Sequence, residues 1–255
     1  MTSGPVIPST PSFRLDGMRA LVTGAGRGIG VAAAAALAEA GAHVTVVARS
    51  AAEIDAAACA IGHGTLAVPL DVSDFDAVTA FFEAHEPFHI LVNNAGTNRP
   101  KPMWDVTEAD YDAVLGLNLK AAYFVTQACV KRMIANSTPG SLIHMGSQMG
   151  HVGGPNRSLY CASKWALEGM NKSFALDLAP YNIRSNTIAP TFIETPMTKP
   201  MFDDPIFRAS VLSKIKLGRI GRPEDLMGAI LFLASHASAL MTGTSLVVDG
   251  GWTAE

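Results

Sequence analysis

The stretch MRALVTGAGRGIG, residues 18–30, decides the fold class of this chain. Apolar residues dominate 18–23, glycines follow, and helix-forming residues fill 31–40, which predicts a buried strand, a tight turn and a helix. Gly24, Gly28 and Gly30 would let a phosphate approach free backbone N–H groups and the positive end of the helix. Because the spacing G-x-x-x-G-x-G differs from the usual G-x-G-x-x-G, a plain strand–helix turn remains the alternative for this stretch alone.

The rest of the chain repeats the alternation of strand and helix. Six further strands are predicted from apolar runs at 42–48, 65–70, 89–92, 141–146, 183–188 and 244–248. Since the composition shows no break, we expect one α/β domain over residues 14–255, after a flexible arm at 1–13. It should be doubly wound and Rossmann-type, with a mostly parallel seven-stranded sheet and helices on both faces. The Met-rich segment 196–217, interrupted by prolines, is interpreted as a substrate lid or an oligomer contact.

Composition restricts the possible functions. Of 255 residues, 49% are apolar and 16% charged, which suits a large core and further burial between copies of the chain. A net charge of −3 argues against a nucleic-acid partner. A membrane span needs roughly 18 consecutive apolar residues, and we find no such run, so no membrane is expected. The histidines show no metal-binding spacing, and Cys59, Cys129 and Cys161 are expected to be small buried residues in a reducing, cytoplasmic compartment.

The end of the second predicted strand bears on cofactor choice. NAD-binding units carry a ribose-binding carboxylate there, whereas an arginine accommodates the 2′-phosphate of NADP. Here the strand ends in Ala48-Arg49-Ser50, without a carboxylate. Arg49, together with Arg27 in the glycine turn, therefore favours NADP(H). NAD(H) stays possible, because either arginine could simply be solvated.

A hydroxyl, a phenol and an ammonium suggest acid–base chemistry. Tyr160 and Lys164 are four residues apart in the predicted helix 160–179, so they share one face, and Ser147 ends the preceding strand. Lowering a tyrosine pKa from about 10 to neutrality takes about 4 kcal/mol. One charge at about 4 Å supplies a similar energy at an effective dielectric constant of about 20. A packed tyrosine beside a solvated lysine is the alternative for the pair alone.

Polar residues also follow strands and interrupt a helix. Asp71-Val72 and Asn93-Asn94-Ala95-Gly96 stand at strand ends, where they either form turns or line the crevice in which open α/β sheets bind ligands. Thr107 with Asp110 predicts a capping box for a helix reaching about residue 133. Asn118 lies within that helix between leucines, as a backbone clamp or a site residue. Ser73 with Asp76 predicts another capping box.

With these motifs placed, residues 16–252 resemble the short-chain dehydrogenase/reductase family in its shorter form. The motifs that carry the resemblance, in family order, are Thr23-Gly24-x-x-x-Gly28-x-Gly30, Asp71-Val72, Asn93-Asn94-Ala95-Gly96, Asn118, Ser147, Tyr160-x-x-x-Lys164 and Pro190 to Thr195. The resemblance implies an NAD(P)-dependent oxidoreductase that interconverts a secondary alcohol and a ketone. It also implies a homotetramer.

The resemblance implies a role for each motif. Tyr160 would be the general acid/base, Lys164 would lower its pKa and bind the nicotinamide ribose, and Ser147 would polarise the substrate oxygen. Asn118 would brace a bent helix and place a water in the proton relay. The cofactor-binding positions are then Gly24, Arg27, Gly28, Ile29, Gly30, Arg49, Asp71, Val72, Asn94, Ala95, Gly96, Tyr160, Lys164, Pro190, Ile193 and Thr195.

The chain departs from the family at two places. Thr191 replaces the usual glycine after the proline, which concerns the loop geometry. Members that reduce acyl chains on a carrier protein present arginines near the end of the helix after the tyrosine, whereas residues 177–181 here read Asp-Leu-Ala-Pro-Tyr. This favours a small free substrate over the alternative, a 3-oxoacyl thioester. Trp104, Gln148, His151 and Asn156 are candidate polar or aromatic contacts for a sugar, a polyol or another hydroxylated molecule, with an ordinary loop position as the alternative for each.

A non-catalytic dinucleotide sensor is the competing class of function. Such a protein would be expected to have lost Tyr160, Lys164 or Ser147, and all three are present.

Overall fold

The computed structural model describes residues 7–254, which form one seven-stranded sheet with every neighbouring pair parallel. The strand order is β3-β2-β1-β4-β5-β6-β7. The strands are β1 Arg19–Thr23, β2 His43–Ala48, β3 Leu66–Pro69, β4 Ile90–Asn93, β5 Gly140–Met145, β6 Ile183–Pro190 and β7 Ser245–Val248. The predicted doubly wound fold is confirmed, and the sheet is wholly rather than mostly parallel.

Helices cover both faces of the sheet, as expected when crossovers join parallel strands. The helices are α1 Ile29–Glu39, α2 Ala51–Ile61, α3 Phe75–Ala84, α4 Glu108–Leu115, α5 Ala122–Ala135, α6 Ser158–Leu178, α7 Pro205–Leu212 and α8 Glu224–Ala234. Apolar side chains of α1, α2 and α8 fill one core beneath the sheet, with Leu37 and Leu226 fully buried. The core on the other face receives α3, α5 and the end of α6.

Helices α4 and α5 form one continuous helix, Glu108–Ala135, through a π-helical turn at Gly116–Ala121. By length and composition this helix could cross a membrane, with a mean hydropathy of 1.3 over 18 residues, of which 39% are buried. The sequence analysis expected no membrane span because it searched for a run of consecutive apolar residues, and that search does not detect this helix. A helix packed in a protein core passes the same test, so the finding is weak evidence for a membrane.

The two predicted capping boxes have different outcomes. Thr107 accepts from the Asp110 backbone N–H and Asp110 bonds back, so this capping box is confirmed. The prediction for Ser73 with Asp76 is wrong, because Asp74 caps α3 by accepting from the Ala77 N–H at 3.0 Å. The Ser73 hydroxyl turns instead to the Asp71 carboxylate.

The predicted arm and lid are only partly described by the structure. Residues 7–12 are exposed and have neither helix nor strand, whereas residues 1–6 lie outside the described chain. The Phe13 ring lies 6.4 Å from that of Phe232, and Leu15 is fully buried. Phe202 and Phe207, in the segment 196–217, contact the Phe192 ring, and the role of this segment as a lid stays a prediction.

Candidate active site

A cleft of about 1400 Å³ runs along the carboxyl ends of the strands, past the point between β1 and β4 where the strand order reverses. Ligands of open α/β sheets bind at such a switch point. The predicted positions that line the cleft are Gly24, Arg27, Gly28, Ile29, Arg49, Asp71, Val72, Asn94, Ala95, Gly96, Ser147, Gln148, Tyr160, Lys164, Pro190, Ile193 and Thr195. Gly30, Asn118, Trp104, His151 and Asn156 are not among the lining residues.

The glycine turn forms the middle of the cleft. Gly24 has a φ of +63°, and a Cβ there would lie 2.8 Å from the Ala95 Cα, so glycine is required both for the backbone angle and for the close approach. The Asn94 side chain ties the turn to β4 by donating to the Thr23 and Gly24 carbonyls, each at 3.0 Å. Helix α1 begins directly after Gly28. This backbone cradle at a helix N-terminus fits a pyrophosphate.

The end of the cleft near the carboxyl end of β2 contains a carboxylate that the sequence interpretation missed. Glu53, in the first turn of α2, lines the cleft and lies 3.4 Å from Arg27. Arg49 also lines this end. The pKa of Asp71 is lowered chiefly by hydrogen bonds from Ser73, and the charge of Arg49 adds a smaller effect in the same direction. In the sequence, Glu53 lies several positions after the end of β2. It reaches the cleft only because α2 begins shortly after that strand.

Ser147, Tyr160 and Lys164 meet at the opposite end of the cleft. The Lys164 Nζ donates to the Met145 carbonyl at 2.6 Å and lies 5.5 Å from the centre of the Tyr160 ring. The Ser147 Oγ accepts from the Met149 N–H at 3.1 Å, so its own proton can be donated into the cleft. Strand β5 and helix α6 therefore bring together a hydroxyl, a phenol and an ammonium.

Burial dominates the ionisation of these groups. Burial raises the pKa of Tyr160, and the Ser147 hydroxyl and the Arg157 charge only partly oppose it. The net pKa shift of Tyr160 in the protein alone is therefore upward, opposite to the lowering that the sequence led us to expect. The effect of Lys164 on Tyr160 stays a prediction. Burial also lowers the pKa of Lys164 to about 8, against the pull of Glu168.

Asn118 acts as a clamp rather than a lining residue. Its Oδ1 accepts from the Thr97 N–H at 2.8 Å, and its Nδ2 donates to the Thr97 carbonyl at 2.9 Å and to the Ser163 Oγ at 3.1 Å. The side chain thus joins the loop after β4 to α6, one turn from Tyr160. Its position within the π-helical turn agrees with the bracing role that the resemblance implies.

Glu168 is a second residue that the sequence interpretation missed. It extends the i, i+4 series of Tyr160 and Lys164 by one turn and is only 8% exposed. Its carboxylate accepts from the Thr187 hydroxyl at 2.8 Å and the Ser245 hydroxyl at 3.2 Å. A buried carboxylate one turn from Lys164 favours the ammonium form. The continuing i, i+4 spacing was the signal available in the sequence.

Three of the four predicted substrate contacts lie away from the cleft lining. The His151 Nε2 lies 2.9 Å from the Ser245 Oγ and 3.7 Å from the Glu168 carboxylate, so it belongs to the network behind Lys164. Trp104 is 80% exposed. Asn156 is exposed in the loop before α6 with a φ of 58°. Local sequence does not determine the loop conformation that sets these positions, and a role of the three residues in substrate binding stays a prediction.

A cleft that fits a dinucleotide and ends in a Ser–Tyr–Lys cluster defines an oxidoreductase site. Within residues 7–254, no group of three or more His, Cys, Asp and Glu side chains could hold a metal ion. Residues 24–253 match the profile of a family described as enoyl-(acyl carrier protein) reductase. The chain belongs to the short-chain dehydrogenase/reductase family, whose members use NAD(P) to act on CH–OH groups.

Similar proteins act on sugars and related compounds. The D-erythrulose reductase of Gallus gallus is 38% identical over 95% of this chain and 98% of its own length. The L-xylulose reductase of Mesocricetus auratus is 39% identical over 93% of this chain and 97% of its own. A gluconate 5-dehydrogenase from Burkholderia cenocepacia, solved with NADP and tartrate, has a TM-score of 0.91 and 36% identity over 95% and 98% of the two chains.

Proposed function

We propose that the protein uses NADP(H) to interconvert a ketone and a secondary alcohol on a small polyhydroxylated molecule, with Tyr160 as general acid/base. The observation that carries the proposal is the meeting of Ser147, Tyr160 and Lys164 at one end of a cleft whose centre is a glycine turn. The relatives that act on erythrulose, xylulose and gluconate support this substrate class.

The chain's own residues supply proton transfer and positioning. The dinucleotide, when bound, provides the hydride. Ser147 would donate its hydroxyl proton to the ketone oxygen and hold it near Tyr160. Because burial raises the pKa of Tyr160, the phenol carries the proton that reduction requires. Lys164, held by the Met145 carbonyl, would stabilise the phenolate left after proton transfer.

The preference for NADP(H) is supported by the end of the cleft near β2, where the adenosine of the cofactor would bind. Arg27 and Arg49 both line it, and a 2′-phosphate needs such cations. Glu53 opposes this preference, because its carboxylate would repel a phosphate. Since Arg27 lies 3.4 Å from Glu53 and partly compensates it, Arg49 is the residue expected to carry most of the preference.

A 3-oxoacyl thioester reductase is the second candidate. The family description, which names an acyl carrier protein, favours it. The end of α6 argues against it, because Asp177 and Tyr181 stand where arginines would meet a carrier protein. A thioester reductase would act on acetoacetyl-CoA and not on ketoses, so both substrates belong in the same assay.

The test compares wild type with Tyr160→Phe. Oxidation of NADPH is followed with a panel of ketoses, keto acids and acetoacetyl-CoA. Loss of the acid/base group should lower kcat by roughly a hundredfold to ten-thousandfold, while NADPH still binds, as titrated by its fluorescence. A wild type no faster than Tyr160→Phe on every compound would leave the dinucleotide sensor as the better explanation.

We also propose a homotetramer, a cytoplasmic location and a substrate lid at residues 196–217. The outer faces of α4, α5 and α6 form an apolar groove of about 770 Å³, in which Leu119, Tyr123 and Met170 take part. A second copy would cover this groove, and light scattering measures the resulting mass. The location is supported by the three cysteines, which are all free. Cys129 is buried as expected, whereas Cys161 is half-buried and Cys59 is exposed. The lid is supported by Met197 and Met201 at the cleft.

A further inference from the structure

Three buried polar atoms without hydrogen-bond partners belong to residues that line the cleft. Within the described chain, five buried side-chain nitrogen or oxygen atoms lack a partner, and three of these belong to Gln148, Arg157 and Thr191. All three residues line the same cleft as Ser147 and Tyr160. They come from different segments, after β5, before α6 and after β6. Because buried polar atoms are nearly always hydrogen-bonded, three exceptions among the residues of one cleft indicate atoms that a ligand satisfies.

Arg157 is the unusual member, because it buries a charge. Only 7% of the residue is exposed, and its Nη1 is fully buried. Arg99, elsewhere in the cleft, pairs with the carboxylate of Asp110 at 3.2 Å. By contrast, no carboxylate among the described residues forms an ion pair with Arg157, and the ionisable groups that affect it are Tyr160 and Cys161. A buried cation without an anion is costly, so its retention at the substrate end points to an anionic ligand group.

The chemistry of the cluster defines what would fit. A guanidinium has only donors, arranged to meet two oxygens of a carboxylate or phosphate. The Gln148 Oε1 is an acceptor, and the Thr191 hydroxyl can donate or accept, so both suit the hydroxyl groups of a sugar chain. Arg157 stands three residues before Tyr160, so the anionic group would be bound close to the reacting carbonyl.

We propose that Arg157 binds an anionic group of the substrate, so that the protein prefers a keto sugar acid or a ketose phosphate to a neutral ketose. Gln148 and Thr191 bind neighbouring hydroxyl groups. This proposal rests on the proposed function and adds that the substrate carries a negatively charged group. The tartrate in the similar gluconate 5-dehydrogenase structure shows that a dicarboxylate was present with that relative.

The test measures kcat/KM with NADPH for fructose, a ketogluconate and a fructose monophosphate. Arg157→Met keeps most of the side-chain stem but removes the charge. It should lower kcat/KM for the preferred anionic substrate by roughly tenfold to a hundredfold more than kcat/KM for fructose, the range of a lost charged hydrogen bond. The comparison with fructose removes any effect of the Arg157 charge on Tyr160 that all substrates share. The two anionic substrates distinguish a carboxylate from a phosphate.

Arg132→Met is the matched control. Arg132 also has a buried nitrogen without a partner, its Nε, but lies outside the cleft lining. The Arg132→Met variant should leave the ratio of kcat/KM for the anionic substrate to kcat/KM for fructose unchanged, even if its free energy of unfolding falls. If Arg157→Met does not fold, Arg157→Lys replaces it, and the retained charge with fewer donors should give a smaller loss.

Gluconate in the presence of NADPH gives a readout independent of turnover, because gluconate has no ketone to reduce and NADPH cannot accept a hydride. Calorimetry with NADPH present should show that gluconate binds wild type more tightly than Arg157→Met. Equal ratios of anionic to neutral activity in wild type and Arg157→Met would overturn the proposal. If no ketone is reduced at all, the proposed function fails instead, and equal gluconate affinities would then overturn the role of Arg157.

Discussion

Deprotonation of Lys164 should lower activity and raise stability over the same pH range. Its Nζ is buried and bound to the Met145 carbonyl, and burial lowers its pKa to about 8. Burial moves the pKa of Tyr160 in the other direction, above its ordinary value of 10.0. The ammonium therefore loses its proton before the phenol does, and the effect of Lys164 can be observed separately.

The size of the activity change follows from the pKa. A group with a pKa of about 8 is charged in about 90% of molecules at pH 7 and in about 10% at pH 9. The ratio kcat/KM reports ionisations of the free enzyme. If the ammonium stabilises the developing phenolate, kcat/KM for ketone reduction should fall about tenfold per pH unit above about pH 8.

The stability change has the opposite sign. Between about pH 8 and 10.5, folded Lys164 has lost its proton, whereas the unfolded chain still holds one, since the pKa is lowered from 10.5. The unfolded state then binds more protons, so the free energy of unfolding rises with pH in this window. The full shift corresponds to at most about 3 kcal/mol.

The assay is a pair of pH profiles, for kcat/KM and for urea unfolding. Lys164→Met should be slow and should show neither the decline above pH 8 nor the gain in stability. Lys172→Met is the matched control, because Lys172 is exposed on the same helix and should keep both profiles. A wild-type decline that begins only above pH 10, or one that persists in Lys164→Met, would refute the reasoning.

Three further changes test the cofactor end, a helix start and the oligomer contact. Arg49→Ala should lower kcat/KM for NADPH by roughly tenfold or more, since a charged hydrogen bond to the 2′-phosphate is lost, while NADH activity stays constant. Thr107→Ala removes the α4 cap and should lower the free energy of unfolding by about 1 kcal/mol; Thr79→Ala, an exposed threonine that caps no helix, should change it less. Met170→Glu in the apolar groove should reduce the mass measured by light scattering; an unchanged tetramer would place the contact elsewhere.

Local spacing allowed much of this protein to be predicted from its sequence. Alternating apolar runs and glycines predicted seven strands in a mostly parallel sheet and the turn at Gly24, because neighbouring residues set these geometries. The i, i+4 spacing placed Tyr160 and Lys164 on one helix face. Boundaries moved by only a few residues, as at β4, because helix and strand ends depend on local caps.

The tertiary structure decided which polar groups face the cleft and how they ionise. Burial depends on distant segments packing together, so it reversed the expected direction of the Tyr160 pKa. It also turned His151 towards Ser245 and left Arg157 in the cleft without an anion. The sequence alone determined that a strand, a glycine turn and a Tyr–Lys pair exist. Only packing determined which charges lose water, because desolvation is a property of the whole fold.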